Sequence, residues 1–310
     1  MKSTKGTKQT DKETVKADKE TNYIRFDWAI KRLLRDKAGY GAVNGLLSCL
    51  FEKQIRITKV LESEGNQEEE NSKFNRVDVL VEDENGEKII IEIQNNYQVD
   101  YYHRMLFGVS KVVCDYIKQG DNYDKINKIY SVSIVYFELG QGNDYIYFSD
   151  MEFRGKHTGD ILKLTSTQKE RYKREKVGDI FPTYCLLRVE NFDKVAKEPI
   201  DQWIYFLKTT EIPDEFDAQG LDAAREQLSI DQLTPEERKA YYRHLDQTRY
   251  EEGVIEHNRL EAERKGKIEG KAEGEKLKAI EIAKNLLKSN IPINIIKTST
   301  GLTKEEIEKL

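Results

Sequence analysis

Asp78 and Glu92 are the residues whose types and spacing best suit chemistry, in the stretch SKFNRVDVLVEDENGEKIIIEIQ at 72–94. Two carboxylates brought side by side on a sheet repel each other, so such a pair calls for a cation between them. A divalent metal, which prefers hard oxygen ligands, is one candidate. The other is an ordinary solvated face on which Arg76 and Lys88 neutralise the acids. Spacing alone leaves both open, and either needs a fold that makes the two residues neighbours.

The fold that does so is a β-hairpin. Apolar residues alternate through Val77, Val79 and Val81, then through Ile89, Ile91 and Ile93, and are joined by a polar turn at Asn85-Gly86. A two-residue loop would set Val79 opposite Glu92 and mix apolar with charged residues on each face. A three-residue loop, Glu84-Asn85-Gly86 with Gly86 as a left-handed bulge residue, predicts instead that Asp78 faces Glu92 and Arg76 faces Gln94. The six odd-numbered residues then share a buried face, and the even-numbered ones carry the polar groups.

Around the hairpin the periodicity predicts helices near 26–34 and 43–51, separated at Gly39-Tyr40-Gly41, and a short strand at Ile55–Leu61. Beyond it come a helix with the stripe Met105, Leu106, Val109, Val112, Val113, Tyr116 and Ile117 closing at Gly120, and strands at 129–137 and 145–148. The order α, β, β, β, α, β implies a mixed sheet flanked by helices, with the later helix as a crossover. A strand at 182–189 and helices at 199–207, 218–228 and 235–245 extend it.

Four regions follow: a polar arm at 1–21 that cannot bury enough to order itself, a main domain at 22–249, a charged glycine-repeat segment at 250–278, and a small helical tail at 279–310. Gly266, Gly270 and Gly274 share one side of a helix, suiting either contact between copies of the chain or a solvated spacer. The tail, with a Ser299-Thr300-Gly301 turn and a capping box at Thr303, has the outline of a helix-turn-helix.

Across 310 residues the balance is 51 basic against 56 acidic, a net −5, which excludes a dedicated non-specific DNA binder and confines any nucleic-acid contact to a local patch. Cys49, Cys114 and Cys185 form no CxxC pair, as expected of core thiols in a reducing compartment. No apolar run approaches the roughly 20 residues of a membrane helix. A cytoplasmic protein is expected.

Asp78-Val79, Gly86 and Ile91-Glu92-Ile93-Gln94, in that αβββαβ order, resemble the PD-(D/E)XK nuclease superfamily, whose restriction-endonuclease-like core this would be, with a helical C-terminal extension. The likeness is closer to its bacterial Rpn group of recombination-promoting nucleases, also described as transposases. It continues through YYHRMLFGVSKVVCDYIKQGDNY, EPIDQWIYFL and AKNLLKSNIPINIIKTSTGLTKEEIEKL.

The resemblance implies a metal-dependent DNA endonuclease, with Asp78, Glu92 and the backbone carbonyl of Ile93 holding Mg²⁺ or Mn²⁺. It departs from the wider pattern at Gln94, where lysine is usual: an amide orients water but brings no positive charge. Asp27 or Glu52 could add a first-helix acid, Lys31 a replacement cation, and Arg104 a phosphate contact. DNA is the implied partner, and a homo-oligomer through the tail is a further possibility. A nuclease-fold protein that binds DNA or assembles without hydrolysis is the competing reading.

Overall fold

The structure is a computed structural model that describes residues 23–35, 37–63, 78–117 and 119–310; the expected N-terminal arm, and Arg76 and Val77 of the hairpin, lie outside them. Helix α1 (Phe26–Leu33) buries Phe26, Ala29, Ile30 and Leu33. A 3₁₀ turn at Lys37–Gly39 leads into α2 (Tyr40–Phe51), at the expected break. Strands β1 (Ile57–Ser63), β2 (Val79–Asp83) and β3 (Lys88–Gln94) form an antiparallel meander. Helix α3 (Tyr101–Tyr116) carries the chain over so that β4 (Ile129–Val135) lies parallel to β3.

Strand β5 (Ile146–Phe148), helix α4 (Ser166–Tyr172) and strand β6 (Thr183–Arg188) come next. The sheet order is β1-β2-β3-β4-β6-β5, with β6 parallel to β4 and β5 antiparallel at the edge. This is the mixed sheet flanked by helices that the sequence order implies. Helices α5 (Pro199–Thr209) and α6 (Leu221–Gln227) follow, and Trp203 and Phe206 of α5 stack edge-on against Phe26. Proline at the first position of α5 suits it, because its missing N–H would be unpaired there in any case.

The hairpin is buried on both faces, which corrects the expectation of one polar face. Val79, Val81, Ile89 and Ile91 are fully enclosed on one side. On the other, Leu80 and Ile90 pack with Val109 and Val112 of α3 and with Ile129. Lys88 and Glu92 are buried there too, so the face is not an ordinary solvated one.

Helix α3 stops at Tyr116, where Ile117 turns extended, and Gly120 (φ +92°) shapes a later turn instead of capping the helix. The predicted stripe is narrower than drawn: Met105, Val109 and Val112 are buried, but Leu106 and Tyr116 face outward. The expectation of three core thiols also fails at Cys114, which lies on the exposed side of α3.

Gly45 of α2 sits where an added Cβ would lie 2.2 Å from the Gln219 carbonyl oxygen and 2.4 Å from Gly220 Cα, and Gly220 itself has φ +86°. Backbone cannot rotate away as a side chain can. Gly45→Ala should therefore destabilise the domain by about 2 kcal/mol despite its better helix propensity, as read from urea unfolding midpoints.

The chain divides into two compact units, residues 1–238 and 239–310. Helix α7 (Pro235–Lys288) unites the segments expected at 235–245, 250–278 and 279–287 in one run. Its start is a capping box in which the Thr234 N–H donates to Glu237 Oε2 and the Glu237 N–H to Thr234 Oγ1. Ion pairs one turn apart, such as Lys267 with Glu263 and Lys271 with Glu275, each add a few tenths of a kcal/mol against the helix cost of Gly266, Gly270 and Gly274. A Cβ at any of those three glycines would meet open space within this chain. Helices α8 (Ile293–Thr300) and α9 (Lys304–Glu308) fold back so that Ile296, Leu302 and Ile307 enclose Ala283.

Among the described residues no helix is long and apolar enough to cross a membrane.

Candidate active site

The hairpin turn sets the register on which the site depends. Gly86 has φ +74° and its N–H donates to the Asp83 carbonyl at 3.2 Å, while the Asp83 N–H donates to the Glu87 carbonyl at 3.0 Å. The Asp83 carboxylate holds the loop from within, with Oδ1 accepting from the N–H groups of Asn85 and Glu87 at 2.9 and 2.8 Å. Val79 then pairs with Ile91, Leu80 with Ile90 and Val81 with Ile89, as the three-residue loop predicts. Continued by one position, that register sets Asp78 against Glu92. Asp78 is anchored there: its Oδ2 accepts from the Ile93 N–H at 2.7 Å.

Glu92 is 3 % exposed. It lies on the α3 side of the sheet, paired with Ser133 of β4, and the first turn of α3 brings Tyr101 and Arg104 against it. Burial pushes its carboxyl up to about 7, with the Asp78 charge adding to the rise and the Arg104 guanidinium opposing it. Arg104 Nε stands 3.6 Å from Glu92 Oε1, an ion pair but not a well-formed hydrogen bond. Burial beside Glu92 raises the Tyr101 hydroxyl well above its ordinary range.

Glu92 Oε2, Tyr101 Oη, Arg104 Nε and Ser133 Oγ are all buried and none has a hydrogen-bond partner. Leaving one such group unsatisfied costs about 1–3 kcal/mol. The four face one another, Arg104 and Tyr101 toward Glu92 and Ser133 toward Tyr101, so together they form one buried polar cluster around the Glu92 carboxyl.

The other sequence candidates divide. The Gln94 side chain is near the pair in the chain but donates from Nε2 to the Asn96 carbonyl at 3.2 Å. Asp27 is drawn to the same end of β3, where Asn95 Nδ2 donates to its Oδ2 at 2.8 Å. Arg25 forks onto both of its oxygens at 3.2 Å, and the Trp28 N–H donates to Oδ1. Glu52 is exposed at the end of α2, where the neighbouring Phe51 stacks on Tyr130 at 4.6 Å. Tyr130 pairs with Ile89, three residues before Glu92, so Glu52 lies toward the opposite end of the strands. Lys31 belongs to α1.

Sequence reasoning missed Tyr101 and Ser133. The available signal was the alternation Ser131, Ser133 inside the otherwise apolar run of β4, which is the pattern of a strand with one polar buried row.

Among the described residues there is no cluster of three or more His, Cys, Asp or Glu side chains able to hold a metal. A cation at this place could draw on two carboxylates, Asp78 and Glu92, with backbone carbonyl, water or ligand oxygens completing the shell. The partnerless Glu92 oxygen beside a second carboxylate fits such an ion, since hard cations take oxygen donors and displace the proton that a raised carboxyl otherwise keeps.

A family model described as PD-(D/E)XK nuclease family transposase matches residues 24–258. No curated protein and no solved structure matches the chain.

Proposed function

This chain belongs to the PD-(D/E)XK nuclease family transposases, and on that premise we propose that it is a Mg²⁺- or Mn²⁺-dependent DNA endonuclease of the Rpn kind, serving recombination or mobile elements. The observation that carries this reading is the Asp78–Glu92 juxtaposition with a buried, partnerless Glu92 oxygen. In this reading Asp78, Glu92 and the Ile93 carbonyl hold the cation. The chemistry such an ion supplies when bound is Lewis acidity, which acidifies a water and offsets charge accumulating at phosphorus.

The chain's own residues do the rest. The Ile93 N–H binds Asp78 Oδ2 and so holds that carboxylate at the end of β3, beside Glu92. Gln94, whose Nε2 donates to the Asn96 carbonyl, keeps an amide oxygen that would orient the attacking water. Arg104, paired with Glu92, stands in for the usual lysine by placing its guanidinium toward the phosphate oxygens. Asp27 acts through Asn95, holding the end of β3 and with it the direction of Gln94. The Tyr101 hydroxyl stays protonated and serves as a donor.

A second reading is a catalytically weak or inactive nuclease-fold protein that binds DNA or assembles through its helical tail. It is favoured by the engagement of Asp27 with Arg25 and of Gln94 with Asn96. Supercoiled plasmid separates the two. With Mg²⁺ or Mn²⁺ the protein should convert it to nicked circles, and EDTA should stop the conversion; intact plasmid with both metals would reject the endonuclease reading.

A further inference from the structure

One row of residues crosses the sheet on the α3 side: Glu92 pairs with Ser133, Ser133 with Leu186, and Leu186 with Tyr147. At about 4.8 Å between strands, Leu186 stands roughly 10 Å from Glu92 on the same face. There the sheet opens into a cavity of about 500 Å³, with Leu186 and Tyr184 on its floor and Tyr102, Leu106 and Phe148 on its walls. That volume falls in the range of small-ligand sites, roughly 300–1,000 Å³. Tyr101, Met105 and Leu139 join the cavity to the Glu92 cluster through one packed core.

The walls are apolar and aromatic, yet Tyr102, Leu106 and Phe148 are about half exposed. They are therefore surfaces held open, not core. At one end lies Arg188, 4 % exposed. Its Nη1 and Nη2 donate to the carbonyls of Gly142 and Gly140 at 3.1 and 3.4 Å, which hold it rigid, and its Nε has no hydrogen-bond partner. A flat ligand with aromatic faces would suit walls of this kind.

We infer that this cavity receives an unstacked nucleobase of the DNA strand whose phosphate lies at Glu92, so that the enzyme selects unpaired or distorted DNA over perfect duplex. The inference rests on the nuclease reading above. A base stacks on aromatic rings whatever its identity, through the π-face that all four share, and the aromatic walls of this cavity offer such faces. A base in a perfect duplex is held in its stack and must be extruded at a cost, one that a bubble or a frayed end has already met.

Fluorescence anisotropy in EDTA tests this without cleavage, using a labelled duplex with a short unpaired bubble, the same duplex fully paired, and the bubble with abasic sites for the unpaired bases. The bubble should bind about tenfold more tightly than either of the others. Tyr102→Ala combined with Phe148→Ala should erase that preference and leave affinity for paired duplex as it was; Leu106→Ala alone, a milder change at an exposed position, should reduce it. Equal affinity of the unaltered protein for all three probes, or a preference that survives the double substitution, would overturn the inference. Because binding is read without metal, a bubble preference in a protein that never nicks plasmid would reject the hydrolase reading and leave the base site standing.

Discussion

Asp78→Ala should abolish cation-dependent nicking, a loss on the order of a hundredfold or more, because it removes one of the two carboxylates that the described residues bring to the site. The same substitution should remove the heat of Mg²⁺ or Mn²⁺ uptake in calorimetry, a readout that needs no catalysis. Asp78 also accepts the Ile93 N–H at 2.7 Å, so alanine loosens the strand end as well as removing charge. Asp78→Asn separates these effects: its side-chain oxygen can keep the hydrogen bond while the anion is gone. If cation binding depends on charge, the asparagine variant should fold as the parent does and still fail to take up metal. Nicking that persists in both variants would remove Asp78 from the mechanism.

Glu92→Gln should stop cation uptake and at the same time make the protein more stable above neutral pH. The carboxyl sits at about 7 in the folded chain against an ordinary 4.5, so the folded state keeps a proton that the unfolded chain has released. The sign follows directly: folding carries no penalty from Glu92 below about 4.5, loses stability as pH rises between the two values, and bears the full penalty above 7. A shift of that size corresponds to on the order of 3 kcal/mol. Glutamine has no charge to bury. Urea unfolding at pH 8 should show the variant more stable than the parent, and the gap should shrink toward pH 5. Mg²⁺ added at pH 8 should raise the stability of the parent by binding the folded state alone and leave the variant unmoved. A gap independent of pH would show that Glu92 is not the strained group.

These two residues also mark how far the sequence reaches. The alternation of Val and Ile, with one glycine able to close a three-residue loop, left a single register that kept apolar residues together. The structure has that register, with Gly86 at φ +74° and Val79 paired with Ile91. Local rules sufficed because a hairpin is made of neighbours in the chain. The αβββαβ order was legible for the same reason, since each period belongs to one element.

The burial of the second hairpin face was not legible, because it is supplied by Val109 and Val112 of α3, and nothing within the strand pair announces which helix will cover it. For the same reason the helical period of α3 placed Leu106 in a core stripe, whereas the sheet reaches only part of that stripe and leaves Leu106 on the wall of an open cavity.

Ser133, Tyr101 and Arg188 come from β4, α3 and β6, and acquire meaning only when the parallel crossovers bring them into one row with Glu92 or beside it, whereas Arg104 was already a candidate from its place in the chain. By itself, then, the sequence determined the hairpin, its register and the approach of Asp78 to Glu92, which depend on steric alternation and one turn. The tertiary structure alone decided the environment of that pair: how deeply Glu92 is buried, which polar atoms surround it, and where the apolar cavity opens. Those depend on desolvation and on contacts between residues distant in the chain, and neither is written in any local pattern.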